Sequence, residues 1–106
     1  TDWREIVGLY DVLTRVDPSP VVALNRAVAI AMHDGPAAGL TEVDRVMADA
    51  ALEDYHLAHS ARADLCRRLG RFDEARHAYA RALHLAKQEP ERRFLHARLQ
   101  ALDQAR

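Results

Sequence analysis

Residues 63–82 read ADLCRRLGRFDEARHAYARA, and this stretch decides the fold. Gly70 stands in its middle and is typical of the residue that follows the C-terminus of a helix. Small residues flank this turn at Ala63, Ala75 and Ala82. Because small side chains allow two helices to approach closely, the pattern predicts a tight helical hairpin that turns at Gly70.

The hairpin has a weaker copy earlier in the chain. Superposing Gly35 on Gly70 gives a shift of 35 residues, close to the roughly 34 residues of a tetratricopeptide repeat. The later copy carries most of the repeat signature, including aromatic residues at Phe72 and Tyr79. The earlier copy keeps Gly35 but has Leu40 and Met47 where alanine is usual, which predicts a degenerate repeat. A helical bundle with a coincidental period is the alternative.

Apolar spacing and capping residues predict six helices and no strand. The predicted ranges are about 2–17, 20–34, 36–48, 52–69, 72–87 and 89 onward. Every connection between them is short, so neighbouring helices are expected to pack antiparallel. We therefore predict an all-α domain over residues 1–106, in which helical hairpins stack as in tetratricopeptide repeats.

The composition fits one such domain without disulfide or metal staples, since 49% of the 106 residues are hydrophobic. The chain opens with Thr1 at a helix start, which is typical of a piece of a longer protein. The lone Cys66 and the absence of an apolar run of membrane-spanning length predict a cytoplasmic location.

Charge argues against a dedicated nucleic-acid binder, since the formal net charge is only -1. The charge is unevenly distributed. Residues 1–55 hold 4 Arg and 10 Asp+Glu, and residues 56–106 hold 11 Lys+Arg and 6 Asp+Glu. Either these are ordinary solvated helix faces, or one end attracts what the other repels.

No catalytic, cofactor or metal site is predicted. Pairs such as His56/His59 and His77/His84 share a helix face, but neither has the carboxylate or cysteine spacing of a metal site. Cys66 lies on an amphipathic helix without a convincing base, and no glycine-rich phosphate loop is present. The chain is therefore predicted not to be an enzyme.

Asn25 and Arg26 interrupt the apolar run of residues 20–29 and are not explained by composition. A buried amide or guanidinium is unfavourable unless it is paired. One interpretation is structural, with Asn25 bonded to backbone groups of a neighbouring helix and Arg26 paired with a carboxylate such as Asp11 or Asp44. The other is that Asn25 and Arg26 line a groove in which a partner segment docks.

Two stretches resemble a known family: SPVVALNRAVA at residues 19–29 and DGPAAGL at residues 34–40. They are similar to the C-terminal extension of one subgroup of extracytoplasmic-function (ECF) sigma factors of RNA polymerase. The resemblance continues at residues 3–6, 9–10, 55–56, 62–71 and 91–95, and so covers essentially the whole chain.

The resemblance implies a regulatory protein-interaction domain that acts in transcription initiation. Its expected partners are the N-terminal domains of its own sigma factor, core RNA polymerase, or a small YCII-related protein. It implies that DNA is bound by those other sigma domains and not by this one. No catalytic or DNA-contacting residue is carried over. A stand-alone tetratricopeptide-type peptide-binding adaptor is the alternative.

Overall fold

A computed structural model describes residues 1–104, which form six α-helices and one short 3₁₀ helix. The α-helices are α1 (Trp3–Val16), α2 (Pro20–Asp34), α3 (Pro36–Val46), α4 (His56–Arg68), α5 (Phe72–Leu85) and α6 (Glu89–Gln104), and the 3₁₀ helix is Ala50–Leu52. No strand occurs within residues 1–104, so the all-α prediction is confirmed. None of these helices is both long and apolar enough to cross a membrane.

The chain divides into two compact units, unit 1 from Thr1 to Glu53 and unit 2 from Asp54 onward. In unit 1, α2 contacts both α1 and α3, so it is the central helix. Helix α1 begins where the Asp2 carboxylate accepts the backbone N–H groups of Arg4 and Glu5. Helix α2 begins where the Ser19 hydroxyl accepts the N–H of Val21. Both starts follow the capping residues that the sequence offers.

Unit 1 is tightest where α3 crosses α2 at Gly39. A Cβ atom added to Gly39 would lie 2.2 Å from the Cβ and 2.7 Å from the Cα of Ala31. Both residues are buried. The missing side chain of Gly39 is therefore what lets the two helices approach.

This close approach corrects the predicted register of the first hairpin. Only Gly35, at φ 100°, separates α2 from α3, whereas three residues separate α4 from α5. The shift between the second helices of the two hairpins is therefore 36 residues, and it aligns Gly39 with Ala75 and Val46 with Ala82. Near the start of α3, the repeat position that needs a small residue is therefore filled by Gly39 and not by Leu40. The first hairpin is less degenerate there than predicted.

The predicted fourth helix, residues 52–69, is wrong at its start. The Asp49 carboxylate accepts the N–H of Ala51 at 2.9 Å and caps the 3₁₀ helix, and Leu52 is buried. Helix α4 begins only at His56, after extended backbone at Tyr55. The chain turns after Leu52 and is extended at Tyr55, so α4 begins later than its apolar spacing predicts.

In unit 2, α4 packs against α5, and α6 packs against α5. The turn after α4 is a Schellman motif, in which Gly70 N–H donates to Arg67 O at 3.0 Å and Arg71 N–H donates to Cys66 O at 2.9 Å. Gly70 has the positive φ, 74°, that this motif requires. The predicted turn glycine therefore ends the helix as expected from the sequence.

Candidate functional site

An apolar stripe on α2 remains exposed. Val21, Val28 and Met32 are 38%, 39% and 44% exposed, and Asn25 between them is also exposed. Their spacing of three or four residues places them on one side of the helix. We call Val21, Asn25, Val28 and Met32 the α2 face. It is an elongated surface about 16 Å long, from the rise of about 1.5 Å per residue.

Asn25 belongs to this face, which corrects the interpretation that its amide is buried. It lies four residues after Val21 and three before Val28, so it points to the same side as they do. Its neighbours Leu24 and Ala27 fill the core of unit 1. The Asn25 amide is therefore open to solvent and available to a ligand.

Arg26 lies at the side of α2 and is half-buried, with 26% of its side chain exposed. Its Nε donates to Asp11 Oδ1 of α1 at 2.6 Å, and its Nη1 lies 3.6 Å from Glu42 Oε2 of α3. The guanidinium thus bridges all three helices of unit 1. Asp11 is one of the two expected partners, and Glu42 takes the place of Asp44.

A second apolar stripe lies on α1. Leu9, Val12, Leu13 and Val16 are between 46% and 78% exposed, and no residue of α1 is fully buried. Ile6 and Tyr10 of the same helix are half-buried. Helix α1 packs mainly on α2, and these side chains of α1 stay largely uncovered.

The predicted repeat residues of unit 2 divide into buried and exposed sets. Ala63, Ala75 and Ala82 have no exposed surface, and Tyr79 is 1% exposed. Phe72 is 40% exposed, because it is the first residue of α5 and projects beyond the hairpin. Gly35 and Gly70 lie at the two hairpin turns with positive φ.

Charged side chains hold the α4–α5 hairpin together. Arg71 donates twice to the Glu74 carboxylate, at 2.7 and 2.8 Å, and Arg62 Nη2 donates to it at 3.0 Å. Hydrogen bonds from Arg71 and then Arg62 lower the pKa of Glu74. In the same hairpin, Arg67 Nη2 donates to Asp64 Oδ1 at 2.6 Å, and this hydrogen bond raises the pKa of Arg67. The carboxylates of Glu74 and Asp64 are thus paired with arginines, as expected for structural ion pairs.

The possible metal-ligating side chains do not cluster in the part of the chain that the structure describes. Within residues 1–104, no three His, Cys, Asp or Glu side chains are placed to hold a metal ion. His56 Nδ1 contacts Glu91 Oε1 at 2.5 Å and so ties α4 to α6. The depression beside α6, about 370 Å³, is lined partly by Arg92, whose guanidinium donates to the carbonyls of Leu83 and Ala86.

Of the α2 face, sequence reasoning singled out Asn25 and missed the exposure of Val21, Val28 and Met32. Residues 20–32 are apolar almost all round the helix, with only Asn25 and Arg26 as exceptions. A helix packed on one side needs an apolar stripe about 100° wide, and α2 has more than that. An all-round apolar helix is more often buried, so the sequence carried no signal that separates exposure from burial for these residues.

Comparisons with known proteins agree with the helical-hairpin architecture. An uncharacterized protein of Rhizobium meliloti (strain 1021) is 43% identical over 102 residues, which are 96% of this chain and 24% of that protein. The chain thus spans about a quarter of the length of the curated relative it matches. No protein-family model matches the chain.

Among solved structures, the first TPR of Spaghetti (RPAP3) bound to the HSP90 peptide SRMEEVD is similar to this chain, with a TM-score of 0.79. The two are 26% identical, and the match covers 97% of this chain and 79% of that one. The tetratricopeptide-like fold predicted from the repeat is therefore confirmed. Neither comparison carries a link to sigma factors.

Proposed function

We propose that this chain is a non-catalytic protein-interaction module that binds a peptide segment of a partner through the α2 face. The observation that carries the proposal is the exposed apolar stripe of α2 on a fold similar to a peptide-bound TPR domain. Apolar side chains left exposed along one face of a helix are typical of an interaction surface. The proposal favours a tetratricopeptide-type adaptor.

The chemistry of the face suits an extended peptide. Val21, Val28 and Met32 supply apolar contact, and the flexible Met32 side chain adapts to differently shaped partners. Asn25 supplies one acceptor and two donors, which match the backbone groups of an unpaired peptide strand. Together they bind the main chain through the amide and the side chains through apolar contact.

A display selection tests this function. The chain would be immobilised and used to enrich random heptapeptides, and the selected peptides would be measured against the Val28→Gln, Met32→Gln double variant. We expect submillimolar binders whose affinity falls roughly tenfold in that variant, the effect of losing about 1.4 kcal/mol of apolar contact.

The matched control is Leu9→Gln with Val16→Gln, which removes comparable apolar surface from α1. This control should bind like the unaltered chain, and circular dichroism should show both variants helical. A selection that enriches no peptide, or peptides that bind both variants equally, would contradict the proposal.

A narrower candidate places this module in a regulatory extension of an ECF sigma factor. It is favoured by the SPVVALNRAVA and DGPAAGL stretches, and the partners would be the sigma domains, core RNA polymerase or a small regulatory protein. The partner segment bound by the α2 face would then belong to one of these. Deleting the module from such a sigma factor should change transcription from its promoter. An unchanged reporter signal at equal protein levels would contradict this role.

A further inference from the structure

Arg98 on α6 differs from the other arginines of unit 2. Each of the eight arginines that precede it in this unit has a side-chain nitrogen within 3.4 Å of a carboxylate or a backbone carbonyl oxygen, and these eight are Arg62, Arg67, Arg68, Arg71, Arg76, Arg81, Arg92 and Arg93. Within residues 54–104, Arg98 is the arginine that has no oxygen partner. Its positive charge is therefore left without an ion pair.

The guanidinium of Arg98 is stacked on an aromatic ring instead. Its Cζ lies 5.1 Å from the centre of the Phe94 ring. Its Nε is shielded from solvent without a hydrogen-bond partner among residues 1–104, whereas its Nη groups remain at the surface. A stacked guanidinium keeps the donors at its edge available, and partial burial strengthens the bond they form with an incoming acceptor.

A surface depression of about 200 Å³ adjoins this stacked pair. It is lined by Phe94, Ala97, Arg98 and Ala101, whose spacing places them on one side of α6 over about 10 Å. Phe94 is 51% exposed, and both alanines are exposed. The depression thus offers apolar surface directly beside a cation, which suits a side chain that ends in an anion.

The acidic side chains of α6 do not neutralise this cation. Each of them is engaged elsewhere, in the pairs Glu89–Arg93, Glu91–His56 and Asp103–Arg76. None of the three forms an ion pair with Arg98. A carboxylate that approaches Arg98 from outside therefore meets a donor group that has no partner to lose.

We propose that Phe94 and Arg98 anchor an aspartate or glutamate side chain of a partner protein, so that α6 carries a second docking surface. The carboxylate accepts from the Nη groups of Arg98, and the apolar part of the bound segment lies on Phe94 and the two alanines. Charge complementarity at this one side chain selects an acidic segment over a basic one. The inference does not depend on the α2 face, which belongs to unit 1.

A second display selection tests this site. Random heptapeptides displayed as N-terminal fusions would be selected on the whole chain carrying Val28→Gln and Met32→Gln, which removes apolar surface from the α2 face. Such fusions have no free C-terminal carboxylate, so a selected carboxylate belongs to a side chain. We expect the enriched peptides to carry Asp or Glu beside an aliphatic residue. Fluorescence anisotropy with the amidated peptides should show affinity falling roughly fivefold when Arg98→Gln is added, and falling as salt rises.

Arg93→Gln is the matched control, because it removes the same charge from a side chain of α6 that is 77% exposed and paired with Glu89. It should leave the affinity unchanged. Replacing the acidic residue of the peptide by its amide should weaken binding when Arg98 is present and have little further effect on Arg98→Gln.

Enriched peptides without an acidic residue, equal losses in the two arginine variants, or no enrichment would each overturn the inference. The proposed function is judged separately, on the unaltered chain, by peptides whose affinity depends on Val28 and Met32. Failure of the α6 site would therefore leave binding at the α2 face intact.

Discussion

Gly39 is the position at which a single added methyl group should disturb unit 1 most. The three nearest atoms to the added Cβ belong to Ala31, and two of them, Cα and N, are backbone atoms. A flexible side chain could move aside, but the helix backbone moves only if α2 and α3 separate. We therefore expect Gly39→Ala to destabilise the protein by about 1–3 kcal/mol, the range for overpacked interiors.

Urea denaturation of Gly39→Ala and Gly8→Ala checks this expectation. Gly8 lies exposed in α1, and a Cβ added there meets no atom within 4 Å. Alanine at that position should stabilise the helix by up to about 1 kcal/mol, because it restricts the unfolded chain. Equal stability of Gly39→Ala and the unaltered protein would show that the helices do not approach closely at Gly39.

Glu74 gives the α4–α5 hairpin a defined dependence on pH. Its lowered pKa means that the folded protein favours the ionised carboxylate. The stability it contributes is therefore fully present above the ordinary pKa of a glutamate and is lost as the pH falls through the lowered value. We expect Glu74→Gln to destabilise the protein more at about pH 7 than at about pH 3.

The measurement is the free energy of unfolding in urea at both pH values, with Glu5→Gln as the control. Glu5 is exposed in the first turn of α1, and its substitution should have a small effect. A destabilisation by Glu74→Gln that is the same at both pH values would be inconsistent with the pairing of Glu74 to Arg71 and Arg62.

At the scale of helices, Arg26 contributes to the attachment of α1 to the other helices of unit 1. No residue of α1 is fully buried, and the contact of Arg26 with Asp11 adds to the half-buried contacts that hold α1 on α2. We expect Arg26→Ala to lower stability by on the order of 1 kcal/mol and to speed amide exchange in α1. Its affinity for selected peptides should stay close to that of the unaltered chain.

Arg45→Ala provides the comparison, since Arg45 contacts the same Glu42 but is 63% exposed. Thermal melting and hydrogen exchange should show a smaller effect for this variant. An Arg26→Ala protein that melts normally but loses peptide binding would instead assign Arg26 to the docking surface.

The C-terminal end of α4 was predictable because one residue, Gly70, decides it. The start of α4 was not, because it depends on Asp49 capping a 3₁₀ turn and on burial of Leu52, and neither follows from apolar spacing. The register of the first hairpin was missed for a related reason. Its turn is two residues shorter than that of the second hairpin, and a fixed repeat period hides such a difference.

At the scale of the molecule, we propose that units 1 and 2 unfold together as one domain over residues 1–106. Trp3 is the single tryptophan and reports on unit 1, while far-ultraviolet circular dichroism reports on all helices. Coincident thermal transitions by both probes are expected for one cooperative unit. Distinct midpoints would mean that the two units fold independently.

The exposure of the α2 face could not be predicted from the sequence. Asn25 interrupts an apolar run, and the sequence alone shows that. Its exposure depends on which sides of α2 are covered by α1 and α3, and that is a property of packing. Exposure of Val28 and Met32 could not be separated from burial by hydropathy alone, since the same residues serve in a core or on a binding surface.

The most direct test of peptide binding at the α2 face is a titration of the isotopically labelled chain with a display-selected heptapeptide, followed by NMR. We predict that the largest changes in amide chemical shift fall between residues 21 and 32 and that they saturate as peptide is added. Saturable changes confined to α5 and α6, or no change at millimolar peptide, would contradict it.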